Sequence, residues 1–312
     1  MGTMVQFVAF AHDAREKEQV EAAFKSAYEE IHRLEELLSS WRQSSDIGRL
    51  NRANGLPVRV SAETMAVLER ALWASRVSDG AFDITFQVMS DLWRFGEAAG
   101  KNPRVPSRDE VARRQSLIDF RKIETHRGDQ TVCLPVGMQV SLGGIGKGYI
   151  VDRAAGVLRA QGLDSFFIQA GGDLLGVGRK PSGAAWKSGV QDPRGPRGSY
   201  FATLGFSDHA FSTAGDYAQA YFVDGRRYHH IIDPRTGYPA TACRSVTVWA
   251  EDAVTADALD DVVFVLGPEK GLALVEATPG VGAVIVDAKN KVTVSRRLNG
   301  RLTLLRQPTD DP

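Results

Sequence analysis

The stretch SLGGIGKGYIVDRAAGVLRAQGLDSFFIQAGGDLLGVG, residues 141–178, carries the decision about fold. Val140 leads through a glycine cluster into a helical pattern from about Ile145 to Ala160, and Gly162 stops it. Alternation then takes over in FFIQAGGDLLGVG, as it does further along the chain. Helical period giving way to alternation suggests an antiparallel, glycine-rich sheet and an α+β chain.

Working outward, Val5 to Phe10 reads as a strand, and Val20, Phe24, Ala27, Ile31, Leu34 and Leu38 recur at helical spacing up to Ser39-Ser40. A short helix is expected at Asp46 to Asn51, and a longer one after Ser61 as N-cap, ended by Asp79-Gly80. Downstream, strands are expected around Trp186, Phe201 and Ser245 to Trp249. Helices follow at about Thr255 to Leu266 and Lys270 to Ala277, then strands at Val281 to Asp287 and Val292 to Val294. DPRGPRGS, Asp192 to Ser199, reads as a surface loop. No repeat or low-complexity linker interrupts the 312 residues, so one domain over 1–312 with two lobes is expected.

Composition excludes several classes. Apolar residues make up 43% and charged residues 24%, and 38 basic residues balance 38 acidic ones, so no global charge steers the chain toward nucleic acid. No apolar run approaches the roughly 20 residues of a membrane span. The two cysteines, Cys133 and Cys243, make neither a disulfide framework nor a zinc site. The opening MGTMVQFVAF has no leader pattern, which fits a cytosolic protein or a chain that starts after a removed leader.

Three constellations can carry chemistry. Four glycines and Lys147 between a strand and a helix offer backbone amides, a positive helix end and a point charge to phosphate, although neither the Walker nor the dinucleotide pattern is met. A tight turn with a solvated lysine explains the same residues. Asp257, Asp260 and Asp261 share one helical face, where crowded carboxylates suit Mg²⁺ and also suit a helix N-terminus. The His229-His230 pair before the rigid DPRTG turn offers a general base, or two structural imidazoles. SDGAFDITF (78–86) and GGDLLGVG (171–178) read alone as turns with apolar neighbours.

Taken in order, Met1-Gly2-Thr3, SSWRQSSDIGRLN, DGAFDIT with LWRFG, GGIGKGYIVD, the GGD segment, STAGDY, HHIIDPRTG and ADALDDVVFVLG resemble the ApbE family of FAD:protein FMN transferases across nearly the whole chain. The resemblance implies a two-lobed α+β fold, with a mostly antiparallel sheet and flanking helices around a flavin cleft. It implies FAD as substrate, Mg²⁺, and transfer of FMN to a Ser/Thr hydroxyl in a Ser/Thr-Gly-Ala-Thr-like segment of an acceptor protein, with AMP released. It further implies an acceptor in a membrane redox complex and a periplasmic or extracytoplasmic location, with the cytoplasm as alternative.

By the same resemblance, Gly144, Asp257, Asp260 and Asp261 are metal candidates. Met1, Trp41, Ala81, Phe82, Asp83, Ser141, Lys147, His230 and Ile231 line the FAD site, with Trp41 stacking on the flavin nucleotide. His230, Lys147 and Asp257 are the catalytic candidates, and Asp233 supports the turn behind His230. The chain departs from the family pattern at Ser141, Ala214 and Asp261, where aspartate, serine and threonine are usual. Two other readings remain: FAD binding or FAD hydrolysis without transfer, and a non-flavin phosphate-binding protein.

Overall fold

The computed structural model describes residues 3–96 and 103–310. Met1 therefore lies outside the described residues. Seven strands form one antiparallel sheet in the order Val5–Ala9, Phe166–Ala170, Asp173–Val177, His209–Gly215, Cys243–Ala250, Gly282–Asp287 and Val292–Val294. The expected antiparallel pairing is present, and in FFIQAGGDLLGVG it takes the form of a hairpin with Ala170 paired to Asp173 across Gly171-Gly172. The central strand His209–Gly215 is one that the pattern reading took only as a motif, STAGDY.

Strand periodicity divides the core. Ala210, Val246, Val248 and Ile285 point to a helical layer, while Phe211, Trp249, Val284 and Val286 point to a second, small sheet. That small sheet joins Trp186–Gln191, Tyr200–Phe206 and Leu302–Leu304. On the helical side lie α1 (Ala14–Leu38), α2 (Asp46–Asn51), α3 (Ala62–Val77), α5 (Gly146–Ala160) and α6 (Ala253–Ala277), while α4 (Arg108–Gln115) belongs to a separate lobe. Caps follow sequence: Ser45 accepts the Gly48 N–H at 2.8 Å and Ser61 that of Thr64 at 3.1 Å. The two helices expected after Thr255 are one element broken at Gly267, whose φ of 79° precedes Pro268. A satellite cluster of Val88, Met89, Trp93, Val111, Tyr221 and Ile232 builds the lobe beside His229 and His230.

One expectation is overturned. The DPRGPRGS segment is not simply a surface loop, because Asp192 is 1% exposed and gathers donors from the chain's last described residues.

The helices α5 and α6 touch at Gly148. A Cβ there would stand 2.3 Å from the Ala253 carbonyl oxygen and 2.8 Å from Asp257 Cβ. Backbone cannot yield as a flexible side chain does, so Gly148→Ala is expected to cost about 1–3 kcal/mol, read from urea unfolding midpoints. An unchanged midpoint would show that the helices separate freely.

Candidate functional site

Four elements converge on one buried polar cluster. Helix α5 starts at Gly146, and the residue before it, Ile145, offers no side-chain cap, so a first-turn N–H takes its partner from another element. Lys147, in the first turn, reaches Asp173 and, at 3.1 Å, Asp257. The second oxygen of Asp257 accepts the Gly148 N–H at 2.8 Å, so the close approach of α5 and α6 sets this carboxylate. Asp173 opens its strand directly after Gly171-Gly172, while Asp257 and Asp260 project from α6. Single carboxylate oxygens of Asp173, Asp257 and Asp260 all lie within 4.8 Å of one another.

Ser212, in the middle of the central strand, joins this set by contacting Asp173 and, at 2.7 Å, Asp260. The Ser212 hydroxyl is the donor offered to both carboxylates. Burial, then the charges of Asp261 and Asp257, push the Asp260 pKa well above the carboxylate range, and the Ser212 hydrogen bond opposes that rise.

The remaining charges fit the same picture. Burial first, then Asp173, raise Asp257 to about 6 against the pull of Lys147. Burial and Asp257 raise the half-buried Asp261 to about 7. Burial opposes the Lys147 charge, but Asp173 and Asp257 outweigh it and hold the ammonium well above its usual pKa. Negative charge is thus in excess over the one lysine. Asp261 stands against Gly144, where an added Cβ would meet its carboxylate at 2.6 Å and the Phe82 ring at 3.1 Å.

This excess sets a pH dependence. Folded Asp261 keeps its proton to about pH 7, whereas the unfolded group loses it near pH 4, so the folded chain binds more protons in between and loses stability as pH rises. Asp261→Asn is therefore expected to gain thermal stability over the parent chain, by a margin that grows from about pH 5 to about pH 7.5 in EDTA. The buried histidines contribute equally to both proteins and cancel. A margin constant with pH would contradict the shift.

The other sequence candidates take distinct places. Ser141 donates its N–H to the Ile84 carbonyl at 2.9 Å and accepts the Gly143 N–H at 3.2 Å, tying the glycine loop to the DGAFDIT segment. In that segment Ala81 and Phe82 are buried. The Asp83 carboxylate is committed to the fold, accepting N–H groups from Thr85 at 2.9 Å and Phe120 at 2.8 Å and the Thr85 hydroxyl at 2.7 Å. Trp41 is 86% exposed beyond the end of α1.

The two histidines differ. His229 is buried with both ring nitrogens engaged: Nε2–H donates to the Ala240 carbonyl at 2.7 Å, and Nδ1 accepts the Ile231 N–H at 3.3 Å. It is a neutral structural imidazole beside buried Ile231. His230 Nδ1, in contrast, is buried without a partner, and its N–H donates to the Gln219 carbonyl at 3.2 Å. Burial and then His229 lower its pKa to about 4, so it is neutral at pH 7. Asp233 receives the Arg235 N–H at 2.9 Å and its guanidinium at 2.8 Å, which shapes the turn. Sequence reasoning left out Asp173 and Ser212; the signal was an acid directly after Gly-Gly in a wholly buried strand.

An antiparallel sheet backed by α5 and α6, with a lysine among buried carboxylates, is the arrangement that comparison with known proteins places in a family. A model described as the ApbE family matches residues 1–285, and the chain belongs to this family. An FAD:protein FMN transferase of Treponema pallidum is 34% identical over 310 residues, covering 94% of this chain and 85% of its own length. One from Vibrio cholerae is 32% identical over 259 residues, covering 81% and 77%. The ApbE protein of Thermotoga maritima superposes with a TM-score of 0.85 at 32% identity, and 96% of each chain is covered. The flavin transferase ApbE of Vibrio cholerae gives 0.82 at 27%, with the same coverage. Among the described residues no helix is long and apolar enough to cross a membrane.

Proposed function

We propose that this chain transfers FMN from FAD to a Ser or Thr hydroxyl of an acceptor protein. The acceptor oxygen attacks the phosphorus of the FMN half, the pyrophosphate bond to AMP breaks, AMP leaves with the bridging oxygen, and His230 takes the hydroxyl proton. The observation that carries this reading is Lys147, held by Asp173 and Asp257 in the first turn of α5. Such a lysine at the positive end of a helix suits a pyrophosphate.

The donor set fits Mg²⁺: carboxylate oxygens of Asp173, Asp257 and Asp260 lie within 4.8 Å of one another, a hard, closely spaced set of ligands. Asp257, Asp260 and Asp173 would hold it, with Asp261 and the Gly144 main chain alongside. Bound there, Mg²⁺ would neutralise charge on the pyrophosphate oxygens. Lys147 orients the same phosphates, Ala81, Phe82, Ser141 and Ile231 shape the flavin cleft, and Asp83 holds its segment in place. The acceptor is a Ser/Thr-Gly-Ala-Thr-like segment of a membrane redox-complex subunit, met on the extracytoplasmic side.

Incubation with FAD, Mg²⁺ and a peptide bearing the acceptor motif tests this. A peptide gaining the mass of FMN with stoichiometric AMP is expected; AMP without labelled peptide indicates hydrolysis, and neither product refutes both. Trp41 offers a free ring face, so Trp41→Ala is expected to weaken FAD binding by about 1–3 kcal/mol and to relieve quenching of flavin fluorescence. Unchanged affinity on titration would remove Trp41 from the site.

A further inference from the structure

We infer that Arg194 is a positioning residue for His230, and that Thr309, near the C-terminal end of the chain, holds Arg194 in place; the inference rests on the role proposed for His230. Arg194 donates two hydrogen bonds of 2.7 Å to the two oxygens of Asp216, and both side chains are about nine-tenths buried, at 9% and 10% exposure. A bidentate guanidinium–carboxylate pair fixes angle as well as distance. Asp216 directly follows the central strand that carries Ser212, and its N–H donates to the Arg244 carbonyl at 3.1 Å. Three residues on, the Gln219 carbonyl accepts the His230 N–H. The turn from Asp216 to Gln219 therefore hangs between Arg194 and His230.

Behind Arg194 stands Asp192, whose side chain is wholly buried. Its carboxylate accepts the N–H groups of Arg194 at 3.2 Å and Gly195 at 3.1 Å, which curls the loop so that the guanidinium meets Asp216. The remaining donors come from the end of the chain: Thr309 gives its N–H at 3.1 Å and its hydroxyl at 2.8 Å, and Arg306 its guanidinium at 3.1 Å. Pro308 is buried beside them, and its carbonyl accepts the Asn290 amide at 2.9 Å. A buried carboxylate deprived of these donors would draw on the Arg194 loop instead. Thr309 lies beyond residues 1–285, the span matched by the family model.

The test compares the parent protein with Arg194→Lys and Thr309→Val. FMN transfer to a peptide containing Ser-Gly-Ala-Thr gives kcat and the KM for FAD, thermal midpoints report folding, and spectra of ¹⁵N-histidine-labelled protein report the His230 amide and ring. Lysine keeps the charge but loses the fork, so kcat is expected to fall roughly 10-fold with the FAD KM unchanged, as for a displaced reacting group. Thr309→Val is expected to act in the same direction by about threefold. The His230 signals are expected to shift in both variants. Wild-type kcat with unmoved His230 signals in folded variants overturns the inference, as does a fall in kcat that only tracks the folded fraction. If Arg194→Lys does not fold, Thr309→Val decides by the same readings. A parent protein that transfers no FMN would sink the functional reading alone, because the histidine spectra still report whether Arg194 and Thr309 position His230.

Discussion

Asp257→Asn is expected to abolish magnesium-dependent AMP release, with a loss of roughly 10²–10³-fold or more, the scale for removing a preorganised electrostatic group. The carboxylate touches the Lys147 ammonium and the Gly148 N–H at once. An asparagine oxygen can keep one of these contacts, but its NH₂ then faces a donor, and the charge that would hold a divalent ion is gone. The fold should survive, since the substitution preserves shape and relieves crowding with Asp173 and Asp261. FAD should still bind through aromatic and main-chain contacts. The measurement is AMP formed across a magnesium titration, with EDTA as the zero point. Normal turnover of Asp257→Asn at low magnesium, or full activity of the parent chain in EDTA, would reduce the acidic face to helix-end decoration.

His230→Ala is expected to slow transfer by roughly 10²–10⁴-fold while FAD affinity stays nearly intact, because general-base work is lost and binding is not. The side chain is suited to that work by its open nitrogen: His229 has spent both of its own, and Asp233 is occupied by Arg235. Burial keeps the free His230 neutral down to about pH 4, so its imidazole is in the proton-accepting form across the neutral range. Normal transfer by His230→Ala would move the base outside this turn.

Much of the fold is legible because it rests on local signals. Ser61, Gly162 and the Gly-Gly between two alternating runs each mark a boundary that the structure keeps. The acidic face of α6 is equally local, since i, i+3 and i+4 spacing is enough to bring Asp257, Asp260 and Asp261 together. What sequence pattern does not carry is partnership across strands. Ser212 lies 39 residues from Asp173 and 48 from Asp260, and only the pairing of adjacent strands, with α6 packed across them, brings the three together. Asp192 looked like loop decoration for the same reason, since its donors stand 117 residues away at Thr309.

The order of strands in the large sheet also bears on how the protein is made. Val5–Ala9 pairs with Phe166–Ala170, so the first strand waits for some 160 residues of chain before it finds its edge. The neighbours of Asp173 arrive later still, with the central strand and then α6. Pairings this distant in sequence carry a loop-closure penalty before they return any stabilisation, which places the sheet among slow-folding topologies. Until α6 docks, the strand pair around Gly171-Gly172 carries Asp173 without Asp257 or Asp260 beside it. A nascent chain halted before α6 emerges would hold the lysine and one acid on separate, unclosed pieces, and the charge cluster would come into being only as the last large helix swings against the sheet.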